Sequence, residues 1–203
     1  RRRLGRLTIH LTAMVNIAIF VSGKGTNCEN LIRYFSNGDK VKVSLVLTTT
    51  PGAEAIGKAK ALGVSTSCLS RGDFNNDGLV MAIMKDNKID FIILAGFIQL
   101  IPSFLVRAYE GRMINIHPAL LPKYGGKGMY GRHVHEAVKA AGERQTGMTV
   151  HWVSDKYDEG TVIAQYKVAI SEEDTVEDII QKEHELEMRY FPVVVEKVLE
   201  SIV

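Results

Sequence analysis

The 203-residue sequence contains only two cysteines, five prolines and one tryptophan. Cys28 and Cys68 do not form a CxxC motif, and two thiols in a chain of this length exclude a disulfide-based scaffold. Free thiols are typical of a reducing compartment, so we expect a cytoplasmic protein. No run of 18 apolar residues occurs, which argues against a transmembrane helix and a membrane partner.

Charge of one sign is also scarce, since the formal net charge is +2. This balance gives no electrostatic footprint for nucleic acid, and an apolar content of 46% is ordinary for a globular protein. Basic residues are concentrated only at Arg1, Arg2, Arg3 and Arg6, and no signal-peptide core or cleavage site follows them. We therefore expect residues 1–13 to be an extension or an expression remnant, and residues 14–203 to form one domain.

Short apolar, β-branched runs alternate with segments of helical periodicity along the chain. This alternation predicts an α/β fold, a Rossmann-like and mostly parallel central sheet flanked by helices. The last two strands are separated by a turn at residues 154–160 and should form an antiparallel pair. The predicted strands are 15–22, 41–47, 64–69, 89–94, 113–116, 148–153 and 162–168. The predicted helices are 28–35, 53–62, 77–87, 102–109, 133–141 and about 176–202, the last capped by Asp174 or Thr175.

A glycine-rich turn, GKGTN at residues 23–27, joins the first strand to the first helix. Glycines allow close approach of the backbone, and the free N–H groups of a helix start attract anions. The turn lacks the Lys-Ser/Thr of a P-loop, and Cys28 replaces the third glycine of a dinucleotide fingerprint. No acidic residue follows the second strand to hold a nicotinamide ribose. A monophosphate ester is therefore the favoured ligand, with a tight turn without ligand as the open alternative.

The stretch MINIHPALLPKY, residues 113–124, combines a buried strand with a proline-bounded turn. Pro118 disfavours helical geometry at His117, so the strand ends there. Alternation along the strand places Asn115 and His117 on one face. At the carboxyl end of a parallel strand, these side chains are candidates for a ligand site.

Asp158 is a candidate partner of this imidazole, because a loop carboxylate can orient a histidine and stabilise its charged form. The alternative is ordinary turn chemistry in the loop DKYDEG, residues 155–160. We predict no metal site, since the acids at 155, 158 and 159 lack calcium-loop spacing and His133 and His135 point to different helix faces.

In the last helix, His184 and Glu187 interrupt an apolar stripe. A charged group there must be paired or face a pocket, unless the edge of the stripe reaches solvent.

Several of these motifs together resemble the folate-dependent formyltransferases, on the branch that acts on 5'-phosphoribosylglycinamide (GAR). The motifs are VSGKGTN at 21–27, LAGF at 94–97, NIHPALLPKY at 115–124, and GMTVH at 147–151 followed by DEG at 158–160. The resemblance extends from residue 15 to about residue 191. It implies transfer of a formyl group from 10-formyltetrahydrofolate, as cosubstrate, to the amine of GAR in purine synthesis.

Matched by motif, the resemblance implies catalytic roles for Asn115, His117 and Asp158. Residues 125–135 would form a lid, and the partners would be small molecules only, for a monomer or a homodimer. Alternatives are a related formyltransferase acting on another amine, or a non-catalytic phosphate- or nucleotide-binding domain. The implied GAR-binding residues are Gly23, Lys24, Gly25, Thr26, Asn27, Ile98, Pro118, His184 and Glu187. The implied folate-binding residues are Gln99, Leu100, Ile101, Val106, Val153, Asp155 and Asp158.

Overall fold

The computed structural model describes residues 14–202, and the expected extension at 1–13 lies outside them. One seven-stranded sheet runs through this part of the chain, in the order β3-β2-β1-β4-β5-β6-β7. The first five strands pair in parallel, β6 runs antiparallel to β5, and β7 runs antiparallel to β6. The strands are β1 (Val15–Phe20), β2 (Val41–Thr48), β3 (Thr66–Cys68), β4 (Phe91–Ala95), β5 (Met113–His117), β6 (Gln145–Trp152) and β7 (Val162–Ala169).

Helices connect and flank the strands, and their ends follow local chemistry. The side chain of Asn76 caps α3 by accepting from the Leu79 N–H. Thr175 and Asp178 hydrogen-bond each other's backbone N–H groups at the start of α6, as a capping box. The helices are α1 (Thr26–Phe35), α2 (Glu54–Ala61), α3 (Asp77–Asp86), α4 (Ser103–Ala108), α5 (Arg132–Ala140) and α6 (Val176–Ile202), with a 3₁₀ turn at Asp73–Asn75.

The predicted fold class is confirmed, and the predicted elements are present within a few residues of their expected ends. The 3₁₀ turn was not predicted. The antiparallel pairing of β6 with β5 is a further difference, since the sequence predicts only that the last two strands, β6 and β7, pair in this way.

Strand β1 is the centre of the core because both of its faces are covered. Ile17 and Ile19 pack into the cluster beneath α1 and α6, whereas Ala18 and Phe20 pack into the cluster beneath α3 and α4. All four side chains are fully buried. This two-sided burial explains why the strand is a continuous apolar run rather than an alternating one. None of the helices within residues 14–202 is long and apolar enough to cross a membrane.

The strand order reverses beside β1, since β2 and β3 lie on one side and β4 and β5 on the other. The segments that leave β1 and β4 are held together here. The Ser22 N–H donates to the Gly96 carbonyl and the Ile98 N–H donates to Ser22 Oγ, both at 3.0 Å. Ligands of open α/β sheets bind at such a reversal, outside the carboxyl ends of the strands.

Candidate active site

A cleft of about 880 Å³ opens at this edge of the sheet. Its floor is the carboxyl ends of the central strands. Five segments form its walls: the glycine-rich turn at 23–27, the loop at 96–101, the segment at 126–132, the loop at 153–158 and one face of α6.

Asn115 on β5 lies directly opposite His151 on β6. Asn115 Nδ2 is 3.0 Å from His151 Nε2, and His151 Nδ1 is 2.9 Å from the Trp152 carbonyl oxygen. A carbonyl oxygen only accepts, so Nδ1 carries a hydrogen, and in the Nδ1–H tautomer Nε2 accepts from the Asn115 amide. His151 therefore fixes which end of that amide is the donor.

His117 ends β5 with both ring nitrogens next to acceptors. Its Nε2 donates to the Tyr124 carbonyl oxygen at 2.7 Å, and its Nδ1 is 3.5 Å from Asp158 Oδ2. Burial lowers the pKa of His117 below its ordinary value, and the Asp158 charge and the Tyr124 carbonyl oppose this shift only in part. The ring is therefore neutral at pH 7 and is placed to take up a proton during a reaction.

Asp158 is held in the left-handed region, at φ 55°, in the loop between β6 and β7. Its Oδ2 accepts from the Gly126 N–H at 2.9 Å, and its Oδ1 is 3.4 Å from Asn115 Nδ2. Burial raises the pKa of Asp158, but the imidazoles of His151 and His117 and the Gly126 N–H outweigh burial, so this pKa lies below its ordinary value. The carboxylate is consequently ionised at neutral pH.

The DEG motif has a steric reason for its glycine. A Cβ at Gly160 would overlap the Trp152 carbonyl oxygen. The loop that carries Asp158 can therefore fold back onto β6 only with glycine at this position.

The glycine-rich turn presents the start of α1 to the cleft. Gly25 adopts φ 71°, and a Cβ there would overlap the Cβ of Ala55 on α2. The Glu29 N–H donates to the Gly25 carbonyl at 2.9 Å, and no side chain among residues 14–202 caps the helix. The N–H groups of the first helical turn are therefore free to receive an anion.

Helix α6 faces the same end of the cleft. Asn27 Nδ2 donates to Glu187 Oε2 at 2.8 Å, and His184 Nδ1 is 3.6 Å from the same oxygen. The Asn27 Oδ1 atom is buried and has no hydrogen-bond partner among residues 14–202. A buried, unpaired oxygen in a cleft indicates a place for a ligand donor.

Another part of the cleft wall, the loop at 96–101, carries exposed apolar side chains. Ile98 and Leu100 are 37% and 43% exposed, unusually open for large aliphatic side chains, and both line the cleft. Between them, Gln99 has a buried Oε1 atom with no partner in the described chain. Ile101 and Val153 also line the cleft.

Most of the residues implied by motif lie on the cleft wall, including Pro118 and the whole turn at 23–27. Two folate-binding candidates do not: Val106 packs into the core cluster beneath α3 and α4, and Asp155 is exposed outside the cleft. Of the expected lid, residues 126–132 line the cleft, whereas His133 belongs to α5 and is exposed. Across residues 14–202, His, Cys, Asp and Glu side chains nowhere form a group of three that could hold a metal ion.

Three residues at the site were missed as candidates. His151 is part of a predicted strand and of the motif GMTVH, but no role follows for it from the sequence, because its contact with Asn115 depends on the pairing of β6 with β5. Glu183 and His135 are 3% and 5% exposed and line the cleft. A signal for Glu183 was available, since it lies one helical turn before Glu187 on the same face of α6.

Comparisons with known proteins agree with this geometry. The family model described as "Formyl transferase" matches residues 15–195. A chloroplastic phosphoribosylglycinamide formyltransferase of Arabidopsis thaliana is 37% identical over 181 residues, covering 84% of this chain. A phosphoribosylglycinamide formyltransferase of Haemophilus influenzae is 31% identical, covering 90% of this chain and 86% of the relative. The crystal structure of such an enzyme from Bacillus halodurans is 35% identical, with a TM-score of 0.83 over 93% of this chain and 97% of that one.

The chain spans less than two thirds of the length of the plant relatives. It covers 62% of the Arabidopsis protein and 57% of the corresponding protein of Vigna unguiculata.

Proposed function

Because the chain belongs to the formyl transferase family, we propose that it transfers a formyl group from 10-formyltetrahydrofolate to the amine of GAR, in purine synthesis. One observation carries the proposal. The constellation of Asn115, His117 and Asp158 lines one cleft together with the open start of α1 and a group of exposed apolar side chains. Neither alternative, a binding domain without chemistry or a different acceptor amine, is favoured by a specific contact.

The GAR phosphate fits the glycine-rich turn, where the helix start offers N–H groups and Lys24 adds a positive charge. The ribose hydroxyls then lie near Glu187, whose Oε2 is already oriented by Asn27. His184 borders this region; the Glu187 carboxylate raises its pKa, which favours a positive charge near the phosphate. The substrate amine would point toward the end of β5.

The folate fits another part of the cleft, between the loop at 96–101 and the loop at 153–158. Leu100 supplies exposed apolar surface for a flat ring system, whereas Ile98 stays with the GAR site. The unpaired Oε1 of Gln99 accepts from an N–H group of the pterin in this arrangement. The formyl carbon then lies between the two ligand sites, beside Asn115 and His117.

In the reaction, the amine nitrogen of GAR attacks the formyl carbon, and the carbonyl electrons move to its oxygen. Asn115, oriented by His151, donates an N–H to this oxyanion. The proton that the amine gives up passes by way of Asp158, directly or through water, to His117 Nδ1, so the ring becomes protonated. Nε2 of His117 then donates to the same oxygen, in place of the Tyr124 carbonyl. The ionised Asp158 stabilises that charge at Nδ1.

Collapse of the tetrahedral intermediate breaks the bond from the formyl carbon to the folate nitrogen. The amine nitrogen must lose one proton and the folate nitrogen must gain one. Asp158 accepts the first proton directly or through water, and the second is returned from the same pair of residues. The products are N-formyl GAR and tetrahydrofolate.

Two coarser expectations complete the proposal. Cys28 and Cys68 are free thiols, which is in keeping with the proposed cytoplasmic location. The proposed oligomeric state is a monomer or a homodimer. In either state, the proposed partners are small-molecule substrates.

The test is formyl transfer from 10-formyltetrahydrofolate to GAR, measured for the wild type and for His117→Ala. We expect a loss of about 10²–10⁴-fold in kcat for the variant. His133→Ala is the matched control, because that histidine is exposed on α5 and its replacement should leave kcat unchanged. A folded wild type that does not formylate GAR would refute the proposal.

A further inference from the structure

Two carboxyl groups of α6 face the acceptor end of the cleft. Glu183 and Glu187 are one helical turn apart, and both line the cleft while being 3% and 8% exposed. Glutamates are almost never this buried unless they are paired. The pair therefore requires an explanation beyond its place on an amphipathic helix.

The surroundings of the two groups differ. Glu187 accepts from Asn27 at 2.8 Å and lies beside His184, so its negative charge is compensated. Glu183 Oε1 is buried and has no hydrogen-bond partner within residues 14–202. An ionised Glu183 would be a buried, uncompensated charge next to a second carboxylate.

We propose that Glu183 is a specificity-determining residue of the acceptor site, which keeps the single proton of the Glu183–Glu187 pair so that Glu187 alone presents a negative charge to the sugar hydroxyls of a phosphorylated ligand. The choice of GAR as that ligand rests on the proposed function. That Glu183 and Glu187 hold a single proton between them does not depend on it. A second negative charge would repel the phosphate held by the turn at 23–27. It would also remove the only hydrogen-bond donor that the pair can offer.

Burial raises the pKa of Glu183 well above its ordinary value, and the Glu187 charge raises it further. The other groups around the pair do not reverse this shift. His184 on α6 already faces Glu187, and burial lowers the pKa of His135 on α5, which leaves that ring neutral. The cleft lining also contains Lys24 of the turn, Lys127, Tyr130 and Arg132 of the segment at 126–132, and His117 of β5. Within residues 14–202, none of them is paired with Glu183.

The first test is the melting temperature of the wild type and Glu183→Gln between pH 4 and pH 9. A carboxyl group whose pKa is raised on folding costs stability as the pH rises above its unfolded value, near 4.5, because only the unfolded chain can then release the proton. The variant lacks this cost. Its melting temperature should exceed that of the wild type by about 3–5 °C more for each pH unit, until Glu183 titrates in the folded state.

Glu185→Gln is the matched control for this experiment. Glu185 is an exposed carboxylate on the same helix, and its contact is a local one with Gln181. We expect its melting temperature to follow that of the wild type at every pH. A Glu183→Gln difference that does not change with pH would show that Glu183 is ionised in the folded protein and would overturn the proposal.

The second test is binding of ribose 5-phosphate and 2-deoxyribose 5-phosphate, measured by calorimetry over the same pH range. Wild type should prefer the ribose compound, and its Kd should rise by up to about tenfold per pH unit once Glu183 ionises. Glu183→Gln should bind equally well at neutral pH and lack the alkaline rise. Equal pH dependence in both proteins would overturn the specificity role. Neither test requires formyl transfer, so absence of activity with GAR would refute only the proposed function.

Discussion

Replacing His151 by Phe tests how the oxyanion donor is positioned. The imidazole lines the cleft, accepts from Asn115 Nδ2 at 3.0 Å and donates to the Trp152 carbonyl at 2.9 Å. Its Nε2 is also 3.5 Å from Asp158 Oδ1, which is longer than an ordinary hydrogen bond. Phe fills a similar volume without either hydrogen bond. The Asn115 amide then loses the contact that decides which way it faces.

The expected effect is bounded by two quantities. Removing an oxyanion donor altogether costs about 10²–10³ in kcat, so Asn115→Ala sets the upper limit. Misorienting the donor should cost about 10–100-fold, or about 1.4–2.7 kcal/mol of transition-state stabilisation. Stability should fall as well, by about 1–3 kcal/mol, because the buried Trp152 carbonyl loses its donor.

The assay is steady-state formyl transfer with the single variants and with Asn115→Ala/His151→Phe. Since the donor acts in the transition state, kcat should fall while the KM for GAR stays nearly constant. The double variant should be no slower than Asn115→Ala alone, because the histidine has nothing left to orient. Additive losses, or a His151→Phe variant that is destabilised but retains wild-type kcat, would refute the positioning role.

Two further predictions concern the fold around the site. Gly25→Ala should lower the melting temperature by roughly 4–16 °C, since a positive φ and the overlap with Ala55 together cost about 2–4 kcal/mol. The control is Gly57→Ala within α2, where an added Cβ meets open space. This control should leave the melting temperature unchanged or raise it slightly. Burial lowers the pKa of His135 in the folded protein below its ordinary value of 6.5. As the pH falls from 6.5 toward this lowered pKa, only the unfolded chain takes up the proton, so the folded protein loses stability. His135→Gln should reduce this acid-side loss in a pH series of melting curves, and an unchanged series would contradict the shift.

The fold was predictable because its central strands, such as β1 and β4, are buried on both faces. Residues 17–21, at the end of β1, form one apolar run, and such a run followed closely by a glycine is recognisable without knowing its neighbours. The position of His151 was not predictable in this way. Its neighbour Asn115 lies 36 residues earlier, and only the antiparallel pairing of β6 with β5 brings the two side chains together.

The candidate site shows the same division. Residues that act through the backbone geometry of a short motif, such as Gly25, were identified from sequence because a turn determines its own conformation. The resemblance implies a folate contact for Val106 by motif position, and this half-buried side chain on α4 packs against the core cluster beneath α3 and α4. Which face a helical residue presents depends on what packs against the helix, and a motif match does not contain that information.

The segment that follows β5 is coupled to the chemistry rather than merely covering it. The Tyr124 carbonyl accepts from His117, and the Gly126 N–H donates to Asp158. Between them, Gly125 packs so closely that a Cβ would lie 3.2 Å from the Cβ of Asp158. Any displacement of residues 124–126 by a ligand must therefore change the hydrogen bonding of the imidazole and of the carboxylate together. Asp158 and the Tyr124 carbonyl both favour the protonated ring of His117. Occupancy of the cleft and the basicity of His117 are therefore linked through residues 124–126.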